Sequence, residues 1–242
     1  MFIFRKLFFL ALVLVAVFLG ASVVLESFAE SQLASGLGRS LDLRVRPAVQ
    51  IDAFPILYRI MQGTIPKIEV VAHDLVIQHL EIAELDIDLQ NVDADIGVLI
   101  RSDRFDLVVE KGDGTARITE DAVNAYLVYQ KVDVHVTFKP DGLVFVRADR
   151  VVGGRTRRFE ATGRLKLDVR KLIFTPTRVT VDGKTSTVAS LAARARKETA
   201  FSVQLPKLPG NIIPNDVLVT KEQMALVATL KNYVLRLGNE AA

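Results

Sequence analysis

Phe159-Glu160-Ala161-Thr162-Gly163-Arg164-Leu165-Lys166-Leu167-Asp168-Val169 carries Phe, Ala, Gly, Leu, Leu and Val at its odd positions. The even positions carry Glu, Thr, Arg, Lys and Asp. A period of two belongs to a β-strand with one face buried. At about 3.3 Å per residue the stretch spans about 36 Å, where the usual strand has only about 5–6 residues. A sheet built on such strands is apolar on one face and charged on the other. It must cover the apolar face with helices, another sheet or a ligand.

Strand patterns continue on both sides of this stretch. Residues 132–138 and 143–151 precede it, and short runs around 217–220, 225–230 and 233–237 close the chain. Asp113-Gly114, Pro140-Asp141-Gly142, Gly153-Gly154 and Asp182-Gly183 read as hairpin turns between apolar alternating runs. From Ile65 to Val92 the alternation slips phase several times: Ile68, Val70 and Ala72 are even, Leu75 and Ile77 odd, Leu80 and Ile82 even, Leu85 and Ile87 odd. Each slip swaps faces unless a bulge or turn absorbs it, so two or three bulged, twisted strands are expected. Around Pro47, alternating Leu43, Val45, Val49 and Ile51 predict an edge strand or a bulge.

Three helical stretches are expected in this part. Pro55 opens a short one closed by Gly63. Thr119 caps a second through Tyr129, with Glu120 and Asp121 in its first turn and Ala122, Val123, Tyr126 and Leu127 on its apolar face. Ser186 or Thr187 caps a third over 188–197, with Val188, Leu191, Ala192 and Ala195 inward. Pro206, Pro209 and Pro214 mark a loop. No linker or low-complexity segment divides 40–242, so the expected domains are an N-terminal segment, 1–25, and an extracytoplasmic domain, 26–242.

The N-terminal segment predicts export. Arg5 and Lys6 precede 19 uncharged residues, 7–25, and Glu26 follows at once. At about 1.5 Å per residue this run is about 28 Å long, close to a bilayer core. Cations before the run and none just after it place the remainder of the chain outside. A retained anchor is one reading. A cleaved signal peptide, with a small-x-small site at Ser27-Phe28-Ala29, is another, and a buried N-terminal helix is a third. Leu25, Phe28, Ala29, Leu33 and Leu37 then recur at helical spacing, and Gly36 and Gly38 are expected to end that helix.

The chain of 242 residues has no Cys, which removes disulfides, thiolate metal sites and thiol nucleophiles. Its net charge of +3 is uneven: residues 1–100 hold 7 Lys/Arg against 12 Asp/Glu, and 101–242 hold 24 against 16. A basic cluster, Arg147, Arg150, Arg155, Arg157 and Arg158, surrounds Gly153-Gly154, and Arg194, Arg196 and Lys197 close the third helix. These read as solvated, dipole-complementing charges or as a surface for anionic lipid. Stacking aromatics do not interleave with them, which argues against nucleic acid.

Catalytic chemistry finds no candidate. His73, His79 and His135 have no metal-ligand spacing, and His79 falls where a strand wants an apolar residue, which predicts a hydrogen-bonded structural histidine. Asp86 and Asp88 share a strand face, where solvent is a simpler partner than Ca²⁺. No nucleotide, nucleophile-elbow or zinc motif occurs. No catalytic residue, metal or cofactor is therefore assigned. A long one-sided sheet with few short helices leaves apolar surface to cover, and an acyl chain gains about 0.8 kcal/mol per buried CH₂.

Several segments then carry a resemblance. Val49-Gln50-Ile51-Asp52-Ala53-Phe54-Pro55-Ile56-Leu57 with Gly63, Leu85-Asp86-Ile87-Asp88-Leu89-Gln90-Asn91-Val92, Ile118-Thr119-Glu120-Asp121-Ala122 leading to Tyr126-Leu127, and Leu205-Pro206-Lys207-Leu208-Pro209 resemble, in order and spacing over about 24–238, the LmeA-like envelope phospholipid-binding proteins of actinobacteria and cyanobacteria. The resemblance implies an α+β, mostly-β fold in which a long curved antiparallel sheet wraps a helix, similar to tubular lipid-binding folds. It implies non-catalytic phospholipid binding outside the cytoplasmic membrane and, in some members, support for building mannose-containing envelope glycolipids. Expected partners are phospholipid, the membrane surface and envelope glycolipid-synthesis proteins. The alternative is a membrane-anchored scaffold without lipid. Apart from the resemblance, the residues expected to line the apolar groove are Phe54, Leu57, Ile60, Tyr126, Leu127, Phe159, Leu165 and Leu167, with Arg155, Arg157 and Arg158, which are not part of the family pattern, at a head-group or membrane surface.

Overall fold

The computed structural model describes residues 2–40, 45–55, 58–59, 62–93, 105–185, 189–208 and 212–237. Among the described residues the fold is mostly β, with antiparallel sheets and three helices. In chain order these are α1 (Phe2–Ser40), β1 (Ala48–Asp52), β2 (Thr64–Ile77), β3 (Leu80–Asp93), β4 (Phe105–Thr119), α2 (Glu120–Tyr129), β5 (His135–Phe138), β6 (Val144–Val152), β7 (Arg155–Asp168), β8 (Lys171–Val181), α3 (Ala189–Thr199), β9 (Phe201–Gln204), β10 (Asp216–Val219) and β11 (Gln223–Leu237). A six-stranded sheet has the order β1-β2-β3-β4-β11-β10, and a five-stranded one β5-β6-β7-β8-β9. The chain forms two compact units, one of residues 1–72, 87–113 and 230–242 and the other of 73–86 and 114–229.

In the second unit β7 is the strand read from the sequence, three residues longer than expected and central in its sheet. Phe159, Ala161, Gly163 and Leu165 are buried, while Arg164, Lys166 and Asp168 are exposed. Val169 leaves the strand: it sits in the turn with φ 54° and is exposed. The pairing with β8 shifts register between Thr162 and Gly163. A Cβ on Gly163 would lie 2.2 Å from the Thr175 carbonyl oxygen and within 3.0 Å of the Phe174 ring. Only glycine lets the two strands approach this closely, and a bulge here adds local twist.

The twist matters because α2 joins both edges of this sheet. Asn124 Nδ2 donates to the Val136 carbonyl and its Oδ1 accepts from the Val136 N–H, each at 2.8 Å. The side-chain amide thus takes the place of a neighbouring strand for β5. Glu120 Oε2 accepts from the Phe138 N–H at 2.7 Å. On the other edge, Tyr126 Oη donates to the Gln204 carbonyl of β9 at 2.7 Å. Flat, five strands about 4.8 Å apart put the edges about 19 Å from each other. A helix with side chains is only about 10–12 Å across, so the sheet must curl for one helix to bond both edges. The buried face of α2 is Ala122, Val123, Tyr126 and Leu127, as expected, and Thr119 Oγ1 accepts from Ala122 N as its cap. α3 packs on β6, β7 and β8.

In the first unit α1 does for β1 what α2 does for β5. Glu30 Oε1 accepts from Ile51 N at 2.9 Å and Glu26 Oε1 from Ala53 N at 3.2 Å. Arg46 donates to the hydroxyls of Ser31 (2.8 Å) and Ser35 (3.0 Å). β1 is an edge strand, as the sequence implied, and α1 occupies N–H groups that would otherwise invite another chain. Glu30→Ala leaves the N–H of buried Ile51 unpaired and is expected to cost about 1.5–3 kcal/mol in urea unfolding. Glu30→Gln, which keeps an acceptor, is expected to recover most of that loss. An alanine variant as stable as the parent would mean that the carboxylate does not hold this edge.

Some expectations are corrected. Asp113-Gly114 is no hairpin: it lies inside β4, where a Cβ on the preceding Gly112 would come within 2.9 Å of the Asp88 carbonyl oxygen. Gly112 allows close approach of β3 there, and no turn forms. α1 is one helix through Ser40, so Gly36 and Gly38 do not end it. Residues 225–230 and 233–237 form one strand, β11, with Asn232 at φ 49° absorbing the break. The slip between Ala72 and Leu75 coincides with a left-handed residue at Asp74 (φ 53°) and that between Ile77 and Leu80 with the turn at Gln78-His79, while the slip between Ile82 and Leu85 falls inside β3 at Ala83-Glu84. Among the described residues no helix is long and apolar enough to cross a membrane. The transmembrane reading of 7–25 therefore gains no support from them, and the side chains of 2–14, 16 and 17 lie outside the description. Ser186, Thr187 and Val188 also lie outside it.

Candidate functional site

Within the first unit, α1 and β1 enclose an open cleft of about 520 Å³, lined by Glu26, Glu30, Val49, Gln50, Ile51, Asp52 and Phe54. That size falls within the ~300–1,000 Å³ common for small-molecule clefts. Two of its walls follow from the edge-sealing just described, since Glu26 and Glu30 reach the β1 backbone from successive turns of α1. Phe54 follows β1 and is 49% exposed. Just beyond it, where a short helical stretch is expected, the described Tyr58 and Arg59 are helical, with Tyr58 N bonded to the Pro55 carbonyl and Gly63 N to that of Arg59. Three carboxylates around the cleft repel phosphate oxygens. The cleft accordingly suits apolar contact with the Phe54 ring or a cationic group, and not a bare phosphate.

The expected groove residues are divided between the units. Phe54 belongs to the first; Leu57 and Ile60 lie outside the described residues. Tyr126, Leu127, Phe159 and Leu165 are buried in the second unit, on α2 and β7, and Leu167 is half-buried near the end of β7. Burial pushes the Tyr126 phenol above its ordinary pKa, opposed by the hydrogen bond from Gln130. The neutral hydroxyl therefore keeps its proton to donate to Gln204.

The three arginines expected at a head-group or membrane surface differ in their partners. Arg157 pairs with Asp182 at 3.4 Å, and Arg158 with Asp149 at 3.4 Å. Arg155 is exposed and has no ion pair among the described residues. His79 is corrected: it is exposed in the β2–β3 turn and stacks on Tyr129 with ring centroids 4.0 Å apart. His73 and His135 are exposed too, and Asp88 pairs with Lys67 at 3.0 Å. Among the described residues no group of His, Asp or Glu is placed to hold a metal.

Sequence reasoning did not single out Asn124, Glu26 or Glu30. A signal was present in each case. Asn124 sits inside a short helix that it disfavours, and Glu26 and Glu30 are one turn apart in an apolar helix.

What these elements build is a mostly-β binding module whose strand edges are closed by helices. Its family is read over most of its length: residues 20–229 match the model of the LmeA-like phospholipid-binding family, and the chain belongs to that family. No curated protein and no solved structure matches it. Membership supports lipid binding.

Proposed function

We propose that this protein binds phospholipid, without covalent chemistry, on the outer side of the cytoplasmic membrane, where it supports lipid or glycolipid assembly in the envelope. The match to the phospholipid-binding family over 20–229 carries this reading. The order of charges around the N-terminal run, Arg5 and Lys6 before it and Glu26 after it, supports the location. Among the described groove residues, Phe54 offers its ring to an incoming acyl chain, being half exposed beside a cleft.

Native mass spectrometry of the full chain, exchanged out of detergent and paired with lipid extraction, tests the proposal. Stoichiometric phospholipid is expected. Phe54→Asp exchanges an exposed side chain, so the fold is expected to persist while affinity falls about tenfold through loss of roughly 1.5 kcal/mol of apolar contact. A chain that stays free of phospholipid after incubation with liposomes rejects the reading and leaves a membrane-anchored scaffold in its place.

A further inference from the structure

One end of the second unit collects positive charge. The antiparallel order puts the β6–β7 turn, the β8 end at Asp182 and part of α3 at this end. Asp182 accepts from Arg158 N at 2.9 Å, and Arg150 Nε reaches Glu198 of α3 at 3.2 Å, so these pieces are in contact. Segments 147–158 and 182–198 hold nine Arg/Lys against three Asp/Glu. Much of this charge is internally matched: Arg150 also pairs with Asp133 at 2.7 Å, Arg157 with Asp182, and both Arg147 and Arg158 reach Asp149. Four exposed cations, Arg155, Lys184, Arg196 and Lys197, have no carboxylate partner among the described residues. At the tip of the same end Val151 is 71% exposed, and the open space around Gly153 and Gly154 leaves the turn free to approach a surface.

Like charges gathered on one end and left unneutralised repel one another and attract a partner of opposite sign. Each Lys or Arg brought close to an anionic bilayer is attracted to its surface charge, and an exposed valine beside them adds apolar contact at the interface. We propose that this end, through Arg155, Lys184, Arg196 and Lys197 with Val151 at its tip, docks the protein on an anionic phospholipid bilayer. The choice of bilayer as partner rests on the phospholipid-binding reading above; the charge pattern is independent of it.

The test is co-sedimentation of the full chain with phosphatidylcholine vesicles and with vesicles of phosphatidylcholine and phosphatidylglycerol in equal parts. The quantity read is the anionic-to-neutral partition ratio, since the exposed apolar residues of α1 contribute to both. A ratio of about ten or more is expected at low salt, falling as salt rises. The variant R155Q/K184Q/R196Q/K197Q is expected to bring the ratio close to one. The variant K139Q/R164Q/K166Q/K171Q removes as much charge at the opposite end of the same sheet and is expected to leave most of the ratio intact. A parent ratio near one, an unchanged ratio in the first variant, or an equal loss in the second each overturns the proposal. Phospholipid held by K184Q/R196Q/K197Q, which keeps Arg155, is read by native mass spectrometry and is expected to match the parent, so failed docking and failed lipid binding are told apart. Loss of both would place these cations in the binding site itself and overturn a docking role.

Discussion

Gly163→Ala is expected to lower the unfolding free energy by about 3 kcal/mol or more in urea denaturation. The added Cβ would meet the Thr175 carbonyl oxygen at 2.2 Å and two atoms of the Phe174 ring at 2.9 and 3.0 Å. The ring could turn, but the carbonyl belongs to the backbone of the paired strand and cannot move without breaking the β7–β8 ladder. Overpacking a well-filled core costs about 1–3 kcal/mol, and here the clash also falls on the register shift between Thr162 and Gly163. A register shift there adds local twist to the sheet whose two edges α2 bonds. Looser protection of the β5 and β9 amides in hydrogen exchange is therefore expected alongside the lost stability. A variant within about 0.5 kcal/mol of the parent, the range of a neutral surface change, would show that the strands do not approach as described.

Asn124→Ala is expected to cost about 2–4 kcal/mol and to promote aggregation. The N–H and C=O of Val136, a residue with 0% exposure, both bond to the Asn124 amide. Alanine removes both partners at once, and each buried group left unpaired costs about 1–3 kcal/mol. β5 would then present an open edge, which templates pairing between chains. Asn124→Asp keeps the acceptor for the Val136 N–H but sets a carboxylate against the Val136 carbonyl, so it is expected to be no better than alanine. Urea unfolding with light scattering reads both effects. If alanine is neutral and the chain stays monodisperse, α2 does not seal that edge.

Much of the fold was legible because side-chain alternation and burial are the same fact seen twice. The odd residues of 159–165 are buried in β7 because a strand with period two can turn only one set of side chains to the core. Thr119 was legible as a cap because its hydroxyl and the orphan N–H of Ala122 lie within one helical turn. Turn chemistry was legible where two left-handed residues meet, as at Asp141-Gly142 and Gly153-Gly154. The same logic failed at Asp113-Gly114, which lies inside β4 next to Gly112, where the Asp88 carbonyl of a neighbouring strand approaches. A sequence shows that a glycine is small but does not show what approaches it.

The site was less legible for the same reason. Phe54 and Phe159 look alike as apolar residues in apolar surroundings, yet one is half exposed beside a cleft and the other fully buried. Arg155 and Arg157 are two residues apart, and only the position of Asp182 across the β7–β8 pair separates the matched cation from the unmatched one.

By itself the amino-acid sequence determined the β character of the chain, the faces of its longest strand, the caps and apolar stripe of α2, the absence of thiol chemistry and the kinship with phospholipid-binding proteins. These depend on contacts within a few residues or on the order of motifs. The tertiary structure alone decided which edges α1 and α2 close, where β7 bulges, which arginines are neutralised and which aromatic ring faces a cleft. Each of those is set by atoms distant in the chain, such as Asn124 with Val136, Gly163 with Thr175 and Tyr126 with Gln204.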